Sequence, residues 1–467
     1  MKRAAASRAF LAATLALAGA ATGGCRHERT DAGVPSDALP CGPDPACADA
    51  GSAADGGGGA SDSGIVPPGV ACAPLPPPAG TVVAVTPADA DLLPAMVYGA
   101  APGTTFLLAD GTYTMTGASE SERRIWVHTP GVTLRSASGN RDAVVVDGEY
   151  LTAEIFFIDA SDVTLADLTV TRAVDHPIHV VGAPGNVTGV LLHDLHVVDG
   201  GEQQIKVNSD GMDDWADDGV LECSLVELTA AGRTFVAGTN PGQCYTGGID
   251  AHGAWGWSVR DNTFRNVYCD NGYLAEHAVH FWNGARDTVV ERNTILDCAR
   301  GVGFGLVETG AMRTYSPDPY PGAGYIGHYD GVIRNNVLWA AGSWFDTGIE
   351  LDQARGARVH HNTVVHPATA FSSIDYRFAN TLVEIRDNIV VNVTMRDGAA
   401  GTVEFNLLTT ATSLFADAAG LDFHLVPGAP GAGGAIDQGV AVTGAGLDID
   451  GEAHDNGPPD IGADEVW

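Results

Sequence analysis

The sequence predicts an all-β fold, a solenoid of stacked parallel strands. Three observations carry that expectation. From about Thr81 the chain consists of short β-branched runs broken by Gly, Asn and Asp. One small pattern, an apolar residue, one or two polar residues that often include Asn, then an apolar pair, recurs from "LADLTV" (165–170) to "VEFNLL" (403–408). A second strand-like segment follows the first in seven successive coils. Copies of the pattern mostly lie about 20 to 35 residues apart, too short a unit to close a core alone, so each must stack on its neighbours. Fixed strands with irregular periods fit a parallel β-helix. They fit a propeller poorly, since there is no four-strand blade rhythm and no Trp-Asp signature.

The elements follow in order. Residues 1–25 read as a targeting peptide: Lys2, Arg3 and Arg8 make a basic start, and Phe10 to Ala21 is apolar but short for a bilayer span. Small residues lead into Cys25, which resembles the lipid-bearing cysteine of a bacterial lipoprotein signal, although Thr22 stands where a large apolar residue is usual. Export follows, to an outer-membrane or cell-surface position, or otherwise to the periplasm or medium. Residues 26–80 are nearly all Gly, Ala, Pro, Asp and Ser and are expected to form a disordered tether. The solenoid is assigned to 81–445 and a capping segment to 446–467, because an open sheet end must be covered.

A net charge of −34 over 467 residues argues against nucleic acid and against direct binding to an anionic membrane, so contact with a membrane is expected only through a lipid. The chain is expected to act as a monomer. Of its eight cysteines, those between 223 and 298 are expected to form structural bridges in an exported protein.

The second segments are "PIHVV" (177–181), "QIKVN" (204–208), "GIDAH" (248–252), "AVHFW" (278–282), "GVGFG" (301–305), "GIELD" (348–352) and "SIDYR" (373–377). Strand side chains alternate, so the apolar second and fourth positions face the core. The third positions then form an outward column: His179, Lys206, Asp250, His280, Gly303, Glu350 and Asp375. The fifth positions form another: Val181, Asn208, His252, Trp282, Gly305, Asp352 and Arg377. Just ahead of the segments lie Asp175, Glu202, Glu276 and Asp346. Gly303 and Gly305 are expected to leave a depression beside His280 and Trp282, with Arg300 at its entrance. Elsewhere in the coils, Asn262, Asn293, Asn336, Asn362, Asn388 and Asn406 share one phase, so their amides can stack coil to coil.

Lys2 and Lys206 are the only lysines, against 22 arginines. An amine can titrate and serve as a base, whereas a guanidinium essentially cannot. Lys206 is therefore the leading candidate base, expected to project into solvent beside imidazole and carboxylate companions. Arg300, His280 and His252 are candidate catalytic partners, and His179, Asn208, Trp282 and Arg377 candidate substrate contacts. Asp250 and Glu202 would raise the lysine pKa, which opposes a base. That conflict is relieved if Glu202, Asp250 and Glu276 hold Ca²⁺, a cation that takes several oxygen ligands.

Three stretches carry a family resemblance. "APGTTFLLADGTYT" (101–114) is similar to the Pro-Gly-x-Thr-x-x-Leu-x-x-Gly-x-Tyr opening of the pectate-lyase-like right-handed β-helix superfamily, above all its alginate lyase and chondroitinase B branch. "VTLRSASGNRDAVVVDG" (132–148) resembles the strands that follow it, and "DFHLVPGAPG…AIDQG…DIDG…DIGADE" resembles the ending of many secreted bacterial β-helix proteins. The resemblance implies a right-handed solenoid that acts on polysaccharide. In that branch calcium neutralises a uronate carboxylate, a lysine removes the C5 proton and an arginine protonates the leaving oxygen. "EQQIKVN" offers Glu202 and Lys206 in comparable order, though not at the branch's spacing. The expected function is β-elimination of a uronate-containing glycan. Hydrolysis by a carboxylate pair such as Asp250 with Glu276 or Glu202, and a non-catalytic glycan-binding scaffold, stand beside it.

Overall fold

The computed structural model describes residues 72–467, apart from Met212, Asn240 and 309–311. The targeting peptide, Cys25 and most of the 26–80 tether lie outside the described residues. The chain is a right-handed parallel β-helix with three long sheets of fourteen, ten and eleven strands, parallel throughout. Its core is a continuous stack of Val, Ile, Leu and Phe, most with no solvent exposure. At the N-terminal end the short helix Leu93–Tyr98 buries Leu93 and Val97 against this stack.

The bend between the first and third of these sheets has a repeated cause. The residue before each phased asparagine (Asp261, Arg292, Asn335, His361, Asp387 and Phe405) has a positive φ of 50–59°. One left-handed residue swings the chain from one sheet into the other. The asparagine after it then repairs the bend. Asn293 Nδ2 donates to the Val259 and Glu291 carbonyls and to Asn336 Oδ1 at 3.0 Å, while its own Oδ1 accepts from the Asn262 backbone and amide. The same links join Asn336 to Asn362, Asn362 to Asn388 and Asn388 to Asn406.

The ten-stranded sheet carries the seven second segments, here β1 (His176–Gly182), β2 (Gln203–Ser209), β3 (Gly247–His252), β4 (His277–Trp282), β5 (Arg300–Gly305), β6 (Thr347–Asp352) and β7 (Ser372–Arg377). Their register pairs His179 with Lys206, Lys206 with Asp250, Asp250 with His280, His280 with Gly303, Gly303 with Glu350 and Glu350 with Asp375. The first column read from the sequence is thus an unbroken row on the outward face, and Ile178, Val180, Ile205, Val207, Ile249 and Ala251 are fully buried behind it.

Two excursions differ from simple loops. Residues 230–239 form a helix, pinned by the Cys244–Cys269 disulfide nearby. Arg313, in the long connection after β5, makes a paired bond to Asp217, at 2.6 and 2.8 Å, so Asp217 is a buried ion-pair partner. Cys223 bonds to Cys72, outside the 223–298 range, and Cys298 is a buried thiol. Beyond Leu414 a second apolar cluster forms, into which Phe415, Phe423, Ile461 and Ala463 pack. Its buried carboxylates accept from backbone N–H groups: Asp448 from Asp450, Glu452 and Glu465, and Asp460 from Asp437 and Val466.

Candidate functional site

The centre of the outward face is a bonded cluster from β2, β3 and β4. Lys206 Nζ donates to Asp250 Oδ2 and lies 2.9 Å from His252 Nε2, which is 3.0 Å from the same carboxylate oxygen. Trp282 Nε1 donates to Asp250 Oδ1 at 2.7 Å, and His280 Nδ1 lies 3.5 Å from that oxygen. Alternation builds this arrangement: Ile205, Ala251 and Phe281 turn into the core, leaving the residues beside them to meet across rungs about 4.8 Å apart.

One expectation is overturned. Lys206 does not project into solvent; it is only 6% exposed. It points away from the core, but the Asp250 and His252 side chains bond its ammonium and leave it little solvent. Burial acts to lower its pKa, and the Asp250 carboxylate outweighs burial and raises it. Lys206 is therefore a fixed ammonium, which holds a proton and cannot take one. Burial pushes the Asp250 carboxyl up, but Lys206 and His252 hold it well below its ordinary value. Burial leaves His252 neutral, its pKa lowered with the opposing pull of Asp250 overcome. Its side chain keeps 20% exposure, more than Lys206 or Asp250. The position is lysine because a compact ammonium fits between one carboxylate and one imidazole, where a planar guanidinium fork would not.

The other candidates fall into separate groups. His179 contacts Asn208 Oδ1 at 2.9 Å and Glu154 Oε1 at 3.3 Å, so these two candidate substrate contacts bind each other. Trp282 is buried with its ring against His252 and offers no open stacking face. Arg377 sits on β7 over Phe378 and bonds Asp397 at 3.1 Å, four rungs from His252, or about 19 Å. Arg300 lies 3.9 Å from Glu276 and 3.8 Å from Glu350. His280 is buried, donates Nε2–H to the Gly305 carbonyl, and burial drives its pKa down to about 3, so it is no proton donor at neutral pH.

The glycine depression is filled. The His277 ring lies across Gly303 to reach Glu350 Oε2 at 3.0 Å, and a Cβ at Gly303 would stand 2.8 Å from its Cδ2 and Nε2. Sequence reasoning missed His176 and His277, because strict alternation turns the position before each segment inward. Gly303, the member of the outward column that has no side chain, was the available signal for a ring leaning in from a neighbouring position.

Glu202, Asp250 and Glu276 do not form one calcium set. Glu202 faces His176 at 3.7 Å, Asp250 is taken up by Lys206, His252 and Trp282, and Glu276 lies beside Arg300. Burial and the nearby Asp175 carboxylate raise Glu202 to about 7, so it carries a proton near neutrality. Acidic groups close enough to hold a cation do occur among the described residues, as in Glu350, Asp352 and Asp375, where Arg396 already pairs with Asp375. Among the described residues, no helix is long and apolar enough to cross a membrane.

No protein-family model and no curated protein sequence matches the chain. Solved structures resemble it as parallel β-helices. An alginate lyase from Paenibacillus sp. str. FPU-7 aligns at 15% identity over 70% of this chain and 99% of its own, with a TM-score of 0.47. The pectate lyase Pel9A aligns at 13% identity over 83% and 97%, with a TM-score of 0.48. PfbA, a surface adhesin of Streptococcus pneumoniae, aligns at 11% identity over 70% and 92%, with a TM-score of 0.39. The likeness is one of solenoid architecture, shared by lyases and an adhesin alike.

Proposed function

We propose that the face around Lys206 cleaves a uronate-containing polysaccharide by β-elimination. The observation that carries this reading is the Lys206–Asp250–His252 cluster, which holds a fixed cation, a fixed anion and a neutral imidazole in direct contact. His252 replaces Lys206 as the base. Its Nε2 lies between the Lys206 ammonium and the Asp250 carboxylate, and in the tautomer that gives Nε2–H to Asp250 the bare Nδ1 is the acceptor for the C5 proton. The electron pair left at C5 forms the C4–C5 double bond as the C4–O bond breaks. Negative charge building on the uronate carboxylate during this step is stabilised by the Lys206 ammonium. Glu202, protonated near neutrality, supplies the proton to the departing oxygen.

The reading includes export, with Cys25 as the lipid-bearing residue. The basic and apolar start of the sequence supports it, as do two disulfides, which persist in oxidising compartments.

A second reading has its own support. Glu202 sits at about 7 while Asp250 is held well below its ordinary value, and two carboxyls pushed apart in this way are the acid–base pair of a glycoside hydrolase. One experiment separates them. The full-length protein is incubated with a panel of acidic polysaccharides while ultraviolet absorbance and reducing ends are followed together. β-Elimination gives both signals, and both vanish in His252→Ala. Reducing ends without absorbance would overturn the lyase reading in favour of hydrolysis. Neither signal would leave a glycan-binding scaffold.

A further inference from the structure

Glu276, His277 and His280 lie together at the start of β4, and none of them has a part in the chemistry proposed above. His277 Nε2 is 3.0 Å from Glu350 Oε2, and His280 Nε2 is 3.0 Å from the Gly305 carbonyl oxygen. A carbonyl oxygen can only accept, so His280 carries its proton on Nε2. His277 Nε2 likewise gives its hydrogen to the Glu350 carboxyl oxygen at 3.0 Å, which places its proton on Nε2.

Both rings therefore present a bare Nδ1 lone pair. The Nδ1 of His277 is buried without a hydrogen-bond partner, in a residue 2% exposed. A buried polar atom left unmatched is costly and calls for an explanation. His280 Nδ1 faces Asp250 Oδ1 at 3.5 Å, where a second lone pair meets it. The two rings stand 4.5 Å apart, centroid to centroid, and a ligand atom from each of Glu276, His277 and His280 lies within 4.8 Å of the others. Arg300 also faces this group, but its Nη1 stays 3.9 Å from Glu276 and 3.8 Å from Glu350, beyond hydrogen-bond distance.

From this geometry we infer that Glu276, His277 and His280 bind a transition-metal cation of the zinc class. Two imidazoles and one carboxylate are a zinc donor set, with a fourth position left for water. A ligating imidazole characteristically donates its other N–H to a carboxylate or carbonyl, and Glu350 and the Gly305 carbonyl stand in those places. Gly303 gives the His277 ring the room to take this pose. Calcium does not suit the site, because it seeks six to eight oxygens and two of these three ligands are nitrogen. The inference is independent of the glycan chemistry, and either can fail without the other.

The test is metal binding by the full-length protein in the absence of any sugar. Co²⁺ is titrated in and its visible absorption followed, then Zn²⁺ and Ca²⁺ are added as competitors. One saturable Co²⁺ is expected, displaced by Zn²⁺ and retained in excess Ca²⁺. Glu276→Gln, at a partly exposed side chain, lowers the Co²⁺ affinity at least about tenfold. Glu350→Gln lowers it about 10–100-fold by releasing the His277 ring. His280→Ala abolishes the signal, with thermal unfolding of each variant confirming the fold. A cobalt spectrum unchanged in Glu276→Gln, or displacement by Ca²⁺, marks adventitious binding to the acidic surface and overturns the inference. So does the absence of saturable binding.

Discussion

Lys206 and Asp250 occupy facing positions on β2 and β3 and are bonded to each other with each side chain only 8% exposed. Two opposite charges so removed from water stabilise the fold only while both are present. Lys206→Met leaves the Asp250 carboxylate buried beside two imidazoles and an indole, and a loss of about 3–5 kcal/mol is expected. Urea unfolding at neutral pH measures it. A variant as stable as the parent would mean that Asp250 does not depend on the lysine.

The proposed proton donor sets a pH limit. Glu202 has its folded pKa raised to about 7, so the acid form is lost as pH rises through that value. The rate of appearance of ultraviolet-absorbing product is expected to fall above about pH 7. Glu202→Gln should remove that limb together with most of the activity. A descending limb that persists in Glu202→Gln assigns the proton donor elsewhere.

The asparagine ladder should be strongest at its middle. Asn336 bonds both neighbouring asparagines and the Val290 carbonyl in the buried interior, and the part-buried Arg334 carbonyl. Asn336→Ala orphans several of these groups at about 1–3 kcal/mol each, so a loss of at least about 3 kcal/mol is expected. Asn406 ends the ladder and is half-buried, so water replaces part of what its removal takes away. Asn406→Ala should cost about 1 kcal/mol. Equal losses at the two positions would contradict the ladder.

Most of the architecture was legible because it rests on periodicity. The alternation that buries Ile205 and Val207 also fixes which rows face out, and the register of His179, Lys206, Asp250 and His280 follows from aligning the segments. Whether a row is open was not legible. The burial of Lys206 depends on Asp250 and His252 reaching it from the next rung, and the space beside Gly303 depends on His277 leaning across it. Alternation carries no information about either, since both come from side chains that leave their own rung. The same limit hid the pairing of Cys223 with Cys72, 151 residues away.

The C-terminal cluster supplies another pH test. Burial raises the Asp464 carboxyl to about 7, while in the unfolded chain it titrates near 3.8. The folded state thus holds a proton that the unfolded state has released, and stability falls as pH rises through that interval. Asp464→Asn keeps an acceptor for the Leu425 N–H and is spared that loss. Relative to the parent, the variant should gain up to about 1.4 kcal/mol per pH unit between about pH 4 and 7, then level off. A stability difference that stays flat over this range would place the Asp464 proton elsewhere.

The asparagine row has a direction: each side-chain amide from Asn262 to Asn388 donates to the next asparagine on the C-terminal side, and each from Asn293 to Asn406 accepts from the one before it. Each junction is consequently interchangeable with the next. Excising the stretch from 336 to 361 would set Asn293 against Asn362, with the same donor and acceptor offered on either side. A protein joined in this way can shorten or grow by whole turns without redesigning a contact, and the row of side chains on its working face lengthens or contracts with it.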